Sequence, residues 1–306
     1  MKDFYPEGTL ISNEENKKYL ASEISLLSAQ TLGIILEANV IMCDSDHNLI
    51  LDLGCMRGVI EREQGAIGIK EGTTRDIALI SRVGRSVSFV VKGFNYDSKG
   101  KKYAVLSRKE AQQRCLDYIL SSKVPGDIIN ARVTHLESFG AFCDIGCGNI
   151  ALLPIDAISV SRISHPKDRF VVGDKIRAII KSIDKDNKIT LSHKELLGSW
   201  NQNVANFSQG ETVSGVVRSV EDYGIFVELA PNLAGLAEPK ENVKPGQAVS
   251  VFIKSIIPDK MKIKLIIIDS FDSVYDYTYN YFFDGNHIDE FVYSPSECQK
   301  QINTYF

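Results

Sequence analysis

A chain of 306 residues with 44% hydrophobic content is long enough for two or three compact domains. Its net charge of −4 excludes a generally adhesive polycation, so any affinity for nucleic acid has to come from local patches. No stretch approaches the roughly 18 uninterrupted apolar residues of a spanning helix, and the polar start MKDFYPEGTLISNEENKK lacks an apolar signal core. A cytoplasmic location with no membrane contact is the expectation.

Ser12-Asn-Glu-Glu15 has the form of a capping box, with Ser12 capping and Glu15 reaching back, which predicts a helix over about 13–30. Leu20, Ile24 and Leu27 fall at helical spacing and are expected to form its packed face. Residues 33–108 repeat features of a unit further along. Asp52-Leu-Gly-Cys55 recurs as Asp144-Ile-Gly-Cys147, and Leu106-Ser-Arg-Lys-Glu110 as Leu191-Ser-His-Lys-Glu195, which points to tandem domains. Gly93 and Gly100-Lys101 lie too far apart for a phosphate loop and lack the Ser or Thr after the lysine, so a hairpin turn is expected there. Residues 109–122 predict a helical linker with Ala111, Cys115, Tyr118 and Ile119 on one face.

The next stretch, 126–195, carries five short strands. Ile129, Ala131 and Val133 alternate with polar neighbours, Phe139 opens a second run to Ile145, and Ile150–Pro154 makes a third. Lys175–Ile183 and Lys188–Ser192 complete the set, with Arg177 and Lys181 opposite Ile176, Ala178 and Ile180. Five strands in so short a span suggest a small closed barrel. Phe139 and Phe142 flank a glycine, which in a strand marks a bulge or tight bend and can bring two residues three apart onto one outer face. Two such rings amid Arg132, Arg177, Lys181 and Lys188 suit single-stranded nucleic acid, whose bases stack while cations follow the phosphates. The competing reading makes both rings core residues, and the pattern by itself leaves the two open. The loop 158–169 adds Arg162, His165, Lys167 and Arg169, a basic cluster that could border the same face.

Residues 195–208 form a short helical connector holding Trp200, expected to pack between barrels. A third copy spans 209–269, where Tyr223 and Phe226 again surround a glycine, with Arg218, Lys254 and Lys262 as nearby cations and Glu238 as an opposing charge. In the tail, Tyr275, Tyr277, Tyr279, Tyr281 and Phe283 alternate with polar residues before Asp284-Gly-Asn and the run Ile288–Tyr293, which predicts a β-hairpin with an aromatic face. From Asp269 onward one basic residue stands against seven acidic, a net of −6 that leaves the rest of the chain at +2. An acidic aromatic segment favours packing or a protein partner over phosphate.

The Gly126-Asp opening, Phe139-Gly-Ala-Phe142, Ser164-His-Pro166, Val172-Gly-Asp174 and Leu191-Ser192 together resemble an S1 RNA-binding domain, the OB-fold repeat of bacterial ribosomal protein S1 and of several ribonucleases. The three-copy arrangement is similar to the short S1-like ribosomal proteins of clostridial bacteria. The resemblance implies a mainly β fold of three tandem five-stranded OB barrels with an N-terminal helix, helical linkers and a C-terminal hairpin. In residue ranges these are a helical segment 1–32, a divergent barrel 33–108, a linker 109–124, S1 domains at 125–195 and 209–269 joined by 196–208, and a tail 270–306.

By position, the family's RNA contacts fall on Phe139, Phe142, Pro154, Asp184 and Lys188. Pro154 stands where the family usually carries His, and Lys188 where it usually carries Arg, which keeps the charge but loses the planar fork. In the third copy Glu238 and Pro258 replace the usual His and Asp, and Lys262 takes the basic position. The first copy has His47 and Ile50 in place of the rings, which suits docking to protein, the small ribosomal subunit being the partner considered.

Cys43, Cys55, Cys115, Cys143, Cys147 and Cys298 show no zinc-knuckle spacing, so reduced, mostly buried thiols are expected and no metal or cofactor. His47, His135, His165, His193 and His287 fall in different elements with no partnered acid and nucleophile, and no catalysis is expected. Binding of single-stranded RNA or mRNA in translation or mRNA handling is the first reading. A ribosome-docked protein scaffold with little RNA affinity is the alternative.

Overall fold

The computed structural model describes residues 4–272 and 279–306. Its strands form three closed five-stranded barrels and one small two-stranded sheet, the architecture of three tandem OB-type repeats expected above. The chain divides into two compact units. The first runs to Lys123 and takes in Asn130–Arg132 and Asp144–Ile150; the second holds Val124–Ile129, Val133–Cys143 and the chain from Ala151 onward.

In the first unit the predicted single helix is two, α1 (Glu14–Leu20) and α2 (Glu23–Leu32). Asn13, not Ser12, caps α1, its side chain accepting the Glu15 backbone N–H at 2.7 Å. The break has a local cause: Ser22 and Ser25 form a reciprocal capping box that starts a new helix. The new start rotates the buried face onto Leu26 and Ala29 and leaves Ile24 79% exposed and Leu27 exposed too, so of the expected Leu20/Ile24/Leu27 face only Leu20 packs against the core.

The first barrel then runs through β1 (Ile35–Cys43), β2 (Leu49–Asp52), β3 (Arg57–Ile60), β4 (Ser86–Tyr96) and β5 (Lys102–Ser107), closing in the order β1-β2-β3-β5-β4 with β3 and β5 parallel. A short helix α3 (Ile77–Ile80) precedes β4, and the glycine stretch before Lys101 is the β4–β5 turn, as its spacing predicted. Leu36, Val40, Leu51, Phe89 and Leu106 fill the interior. Helix α4 (Arg108–Ser122) follows, burying Ala111, Cys115 and Ile119.

Segment 4–11 carries buried charge. The Glu7 carboxylate accepts from Arg108 Nε at 2.6 Å and Nη2 at 2.9 Å, and the Glu7 backbone N–H donates to Asp144 Oδ2 at 2.7 Å. Glu37 Oε2 gathers the backbone N–H groups of Gly8, Leu10 and Ile11 at 2.8–3.1 Å. Burial pushes the Glu37 carboxyl up to about 7, against these hydrogen bonds and with help from the Glu7 charge. Asp144 is likewise raised to about 7, first by burial and then by Glu7.

The second unit holds most of the central barrel and all of the third. The central barrel comprises β6 (Ile128–Glu137), β7 (Gly140–Asp144), β8 (Ile150–Pro154), β9 (Lys175–Ile183) and β10 (Ile189–Ser192), ordered β10-β8-β7-β6-β9 around a closed cylinder. After α5 (Trp200–Val204), the third is built from β11 (Thr212–Glu221), β12 (Gly224–Ala230), β13 (Leu233–Ala237), β14 (Ala248–Ile257) and β15 (Lys262–Phe271). Trp200 is buried in one cluster with Ile179 of the central barrel and Val217, Val227 and Leu265 of the third, so the expected packing between barrels is realised.

A desolvated ion cluster joins the same two barrels. Arg169 Nη2 meets Glu228 Oε1 at 2.7 Å with both side chains fully buried, and Arg218 Nε donates to Glu228 Oε2 at 2.5 Å. Asn232 Oδ1 accepts from the Val160 backbone, while its amide donates to the carbonyls of Lys194 and Gly198. Arg169 therefore closes the loop after β8 onto the third barrel instead of adding its charge to an open basic patch.

The C-terminal hairpin exists but is placed differently from its prediction. Its strands are β16 (Glu290–Val292) and β17 (Asn303–Tyr305). Tyr275 and Tyr277 lie outside the described residues, and Tyr279–Phe283 is not a strand. Its side chains pack instead: Tyr281 and Tyr279 set their rings 5.6 and 5.5 Å from that of the buried His193.

Two outcomes follow for the first unit. Replacing Glu7 with Ala strands Arg108 as a buried, unpaired cation, an effect on the order of 3–5 kcal/mol, which urea unfolding followed by circular dichroism should register as a lowered midpoint. Glu37 has a folded pKa above its unfolded value near ~4.3, so its protonated-state contribution is complete below about pH 4 and is lost as pH rises through about 7. Unfolding midpoints measured from pH 4.5 to 8 should decline over that window for the parent and decline less for Glu37→Gln.

Candidate nucleic-acid interface

The central barrel turns from β6 to β7 through two residues only, Ser138 and Phe139. Phe139 therefore sits in the turn, not in the strand, whereas Phe142 lies within β7 on its outer side. That explains how residues three apart share a face. No bulge between them is required. Phe139 is 54% exposed and Phe142 half-buried, which excludes the core reading of the pair. Their ring centroids lie 6.0 Å apart with planes at 89°.

Gly140 makes this possible. A Cβ there would stand 2.6 Å from the Leu153 carbonyl oxygen and 3.1 Å from Pro154 Cα, so only glycine lets β7 and β8 close beneath the rings. The Phe139 carbonyl accepts the Ile155 N–H at 2.9 Å and the Phe142 carbonyl the Thr134 hydroxyl at 3.0 Å, fixing both backbones. His135, which the sequence reading passed over as a ligand, stacks on Phe142 at 6.3 Å and pairs with Glu137 at 2.7 Å. An imidazole beside an aromatic pair was its only available signal.

The third barrel repeats the design. Glu221 pairs with Gly224, so Asp222 and Tyr223 form the turn. Tyr223 is 67% exposed, and its ring stands 6.2 Å from Phe226 at 87°. A Cβ at Gly224 would meet the Ala237 carbonyl oxygen at 2.7 Å. In the first barrel His47 occupies a left-handed turn position and Ile50 is buried, so those positions carry no platform. Rings do occur elsewhere on it: Lys102 Nζ lies 5.2 Å from the Phe94 centroid and 5.8 Å from that of Tyr96 while paired with Glu23.

The nominated cations separate by type. Arg132 donates to the Glu7 carbonyl at 3.0 Å. Arg177 donates to the carbonyls of Phe283 at 2.6 Å and Gly285 at 2.7 Å, with its guanidinium 5.7 Å from the Tyr281 ring centroid. Arg218 is held by Glu228 and Asp168. All three arginines serve the fold. The lysines stay at the surface: Lys188 is exposed at the β9–β10 tip near Asp186, Lys181 is half-buried, Lys254 is exposed beside Glu238 at 3.1 Å, and Lys262 is exposed. Asp184 Oδ1 accepts the Asp186 and Lys188 backbone N–H groups at 2.9 and 2.8 Å and so shapes the tip that carries Lys188.

In the loop after β8, His165 caps a short helical turn through the Lys167 N–H, the shaping role its position before proline suggested. Among the described residues no cluster of three or more His, Cys, Asp or Glu could hold a metal ion, and no helix is long and apolar enough to cross a membrane.

Residues 123–194 match the family model described as S1 RNA binding domain. The chain is similar to small ribosomal subunit protein bS1 of Staphylococcus saprophyticus, 34% identical over 180 residues that cover 53% of this chain and 46% of that protein. The same protein of Staphylococcus epidermidis matches with the same identity and coverage. The matched region thus spans about half the length of these curated relatives. A solved multidomain protein with nucleic acid binding domains from Streptococcus pneumoniae is 14% identical, covering 77% of this chain and 73% of that one, at a TM-score of 0.25. The resemblance carried by Phe139-Gly-Ala-Phe142 and its companion motifs is to the family that the central segment matches.

Arg177 and His287 hold the segment before β16 in place. His287 Nδ1 lies 2.7 Å from Asp127 Oδ1 and its Nε2 3.1 Å from Asp289 Oδ1, and hydrogen bonds to these two carboxylates raise its pKa. A raised histidine stabilises below its unfolded value near ~6.5 and loses that contribution as pH rises through its folded value. Limited proteolysis should cut 279–289 faster in Arg177→Ala than in the parent, and faster in the parent at pH 8.5 than at pH 6, with the pH effect reduced in His287→Ala.

Proposed function

We propose that this protein is a non-enzymatic RNA-binding protein that takes single-stranded RNA on the outer face of its central S1-type barrel. Bases stack on Phe139 and Phe142, with His135 extending the platform, while Lys181 and Lys188 meet the phosphates. The observation that carries this reading is the exposed, perpendicular ring pair held over a close strand approach that only Gly140 permits. Tyr223 and Phe226, with Lys254 and Lys262, form a second platform of the same build. Asp184 acts by shaping the Lys188 tip, and Arg132, Arg177 and Arg218 act through the fold.

Translation or mRNA handling in the cytoplasm is the setting that the ribosomal relatives support. In this reading the divergent barrel 33–108 serves docking, with the small ribosomal subunit as its partner, and 125–195 and 209–269 are the RNA-binding domains. Every base offers a π-face, so little sequence preference is expected.

Fluorescence anisotropy with a short unstructured RNA across a salt series tests the proposal. Stacking is worth roughly 1–3 kcal/mol per base, so Phe139→Ala/Phe142→Ala should weaken binding by about tenfold or more with the salt slope retained. Undiminished binding by that variant, or no binding by the parent at low salt, would sink the reading.

A further inference from the structure

The third barrel's outer face carries a cation that position in the motif does not identify. Phe226 of β12 pairs with Leu236 of β13, and Leu236 pairs in turn with Lys264 of β15. The three residues form one row across adjacent strands. All three point outward: Phe226 is half-buried and Leu236 and Lys264 are exposed, while Ile225, Ala237, Ile263 and Leu265 beside them are buried. With strands about 4.8 Å apart, Lys264 starts about 10 Å from Phe226, and its flexible stem can bring the ammonium toward the ring. Among the described residues Lys264 has no acidic partner. Lys262 flanks it on the same face, and Lys254 lies in the neighbouring strand with Glu238.

The central barrel differs at this place. There β7, which carries Phe142, neighbours β8, and Leu152 of β8 pairs with Thr190, as Leu236 pairs with Lys264. Lys188-Ile-Thr190-Leu191 and Lys262-Ile-Lys264-Leu265 match residue for residue except at this position. The central barrel thus offers rings with a neutral hydroxyl in the row, and the third offers rings with a cation.

We infer that the Tyr223/Phe226 face is an independent site for single-stranded RNA in which Lys264 meets the phosphate of a nucleotide stacked on Phe226. The inference rests on the proposed RNA reading and extends it to a residue and to a division of labour. The central platform binds chiefly by stacking. The third binds with a larger electrostatic share, Lys264 offsetting the repulsion of Glu238.

The test uses the full chain carrying Phe139→Ala/Phe142→Ala, so that residual affinity reports the third barrel, and an oligouridylate as probe. Adding Lys264→Thr, which copies the central barrel, should weaken residual binding several-fold. It should also flatten the dependence of log affinity on log salt by about 0.7, the share of one phosphate contact on a single strand. Lys264→Arg should retain both. Circular dichroism should show the exposed substitution leaving the fold intact. Residual binding unchanged by Lys264→Thr overturns the inference, as does absence of residual binding in the background when the parent binds; the latter result leaves the central site standing. No binding by the parent removes the RNA reading and this site together.

Discussion

The fully buried contact between Arg169 and Glu228 is the constraint on which the second unit depends. A carboxylate stripped of water is tolerable only when its charge is matched, and Glu228 meets that condition with guanidinium groups from two barrels, Arg218 donating to Oε2 and Arg169 lying 2.7 Å from Oε1. Rigid, planar and poorly hydrated, guanidinium is the side chain best suited to such a place. Together with the apolar cluster around Trp200, it packs the second unit's part of the central barrel against the third.

The same preference shows at four arginines, although Arg75, Arg85 and Arg162 are exposed. Arg108 is buried against Glu7, Arg169 and Arg218 pack against Glu228, and the half-buried Arg177 against backbone carbonyls and the Tyr281 ring. Lysine heads are costlier to desolvate and remain at the surface, on the stems of Lys188, Lys254, Lys262 and Lys264. A face served by lysines rather than arginines attracts phosphate without planar bidentate geometry. That is consistent with a ligand recognised by charge and stacking more than by base edges.

Rings and strands meet through two glycines. Gly140 and Gly224 let one strand pass close under the next, and the two-residue turns before them throw Phe139 and Tyr223 outward beside Phe142 and Phe226. Two barrels so alike in backbone, yet different at Thr190 and Lys264, show how one scaffold can carry platforms of different electrostatic character.

Local pattern by itself determined the strands, the barrel repeats, the ring pairs and helix α4, because alternation and turn residues are recorded within a few positions. It also marked the loss of the platform at His47 and Ile50. Only tertiary structure decided what each charge does: Arg132, Arg169, Arg177 and Arg218 look alike in the sequence, and their partners lie from 10 to 125 residues away. The split of the first helix at Ser22 and the pairing of β16 with β17 rather than with Tyr279–Phe283 belong to the same class. In one, a capping box overrides apolar spacing; in the other, aromatic side chains find His193 and Arg177 to pack against and leave no strand to form.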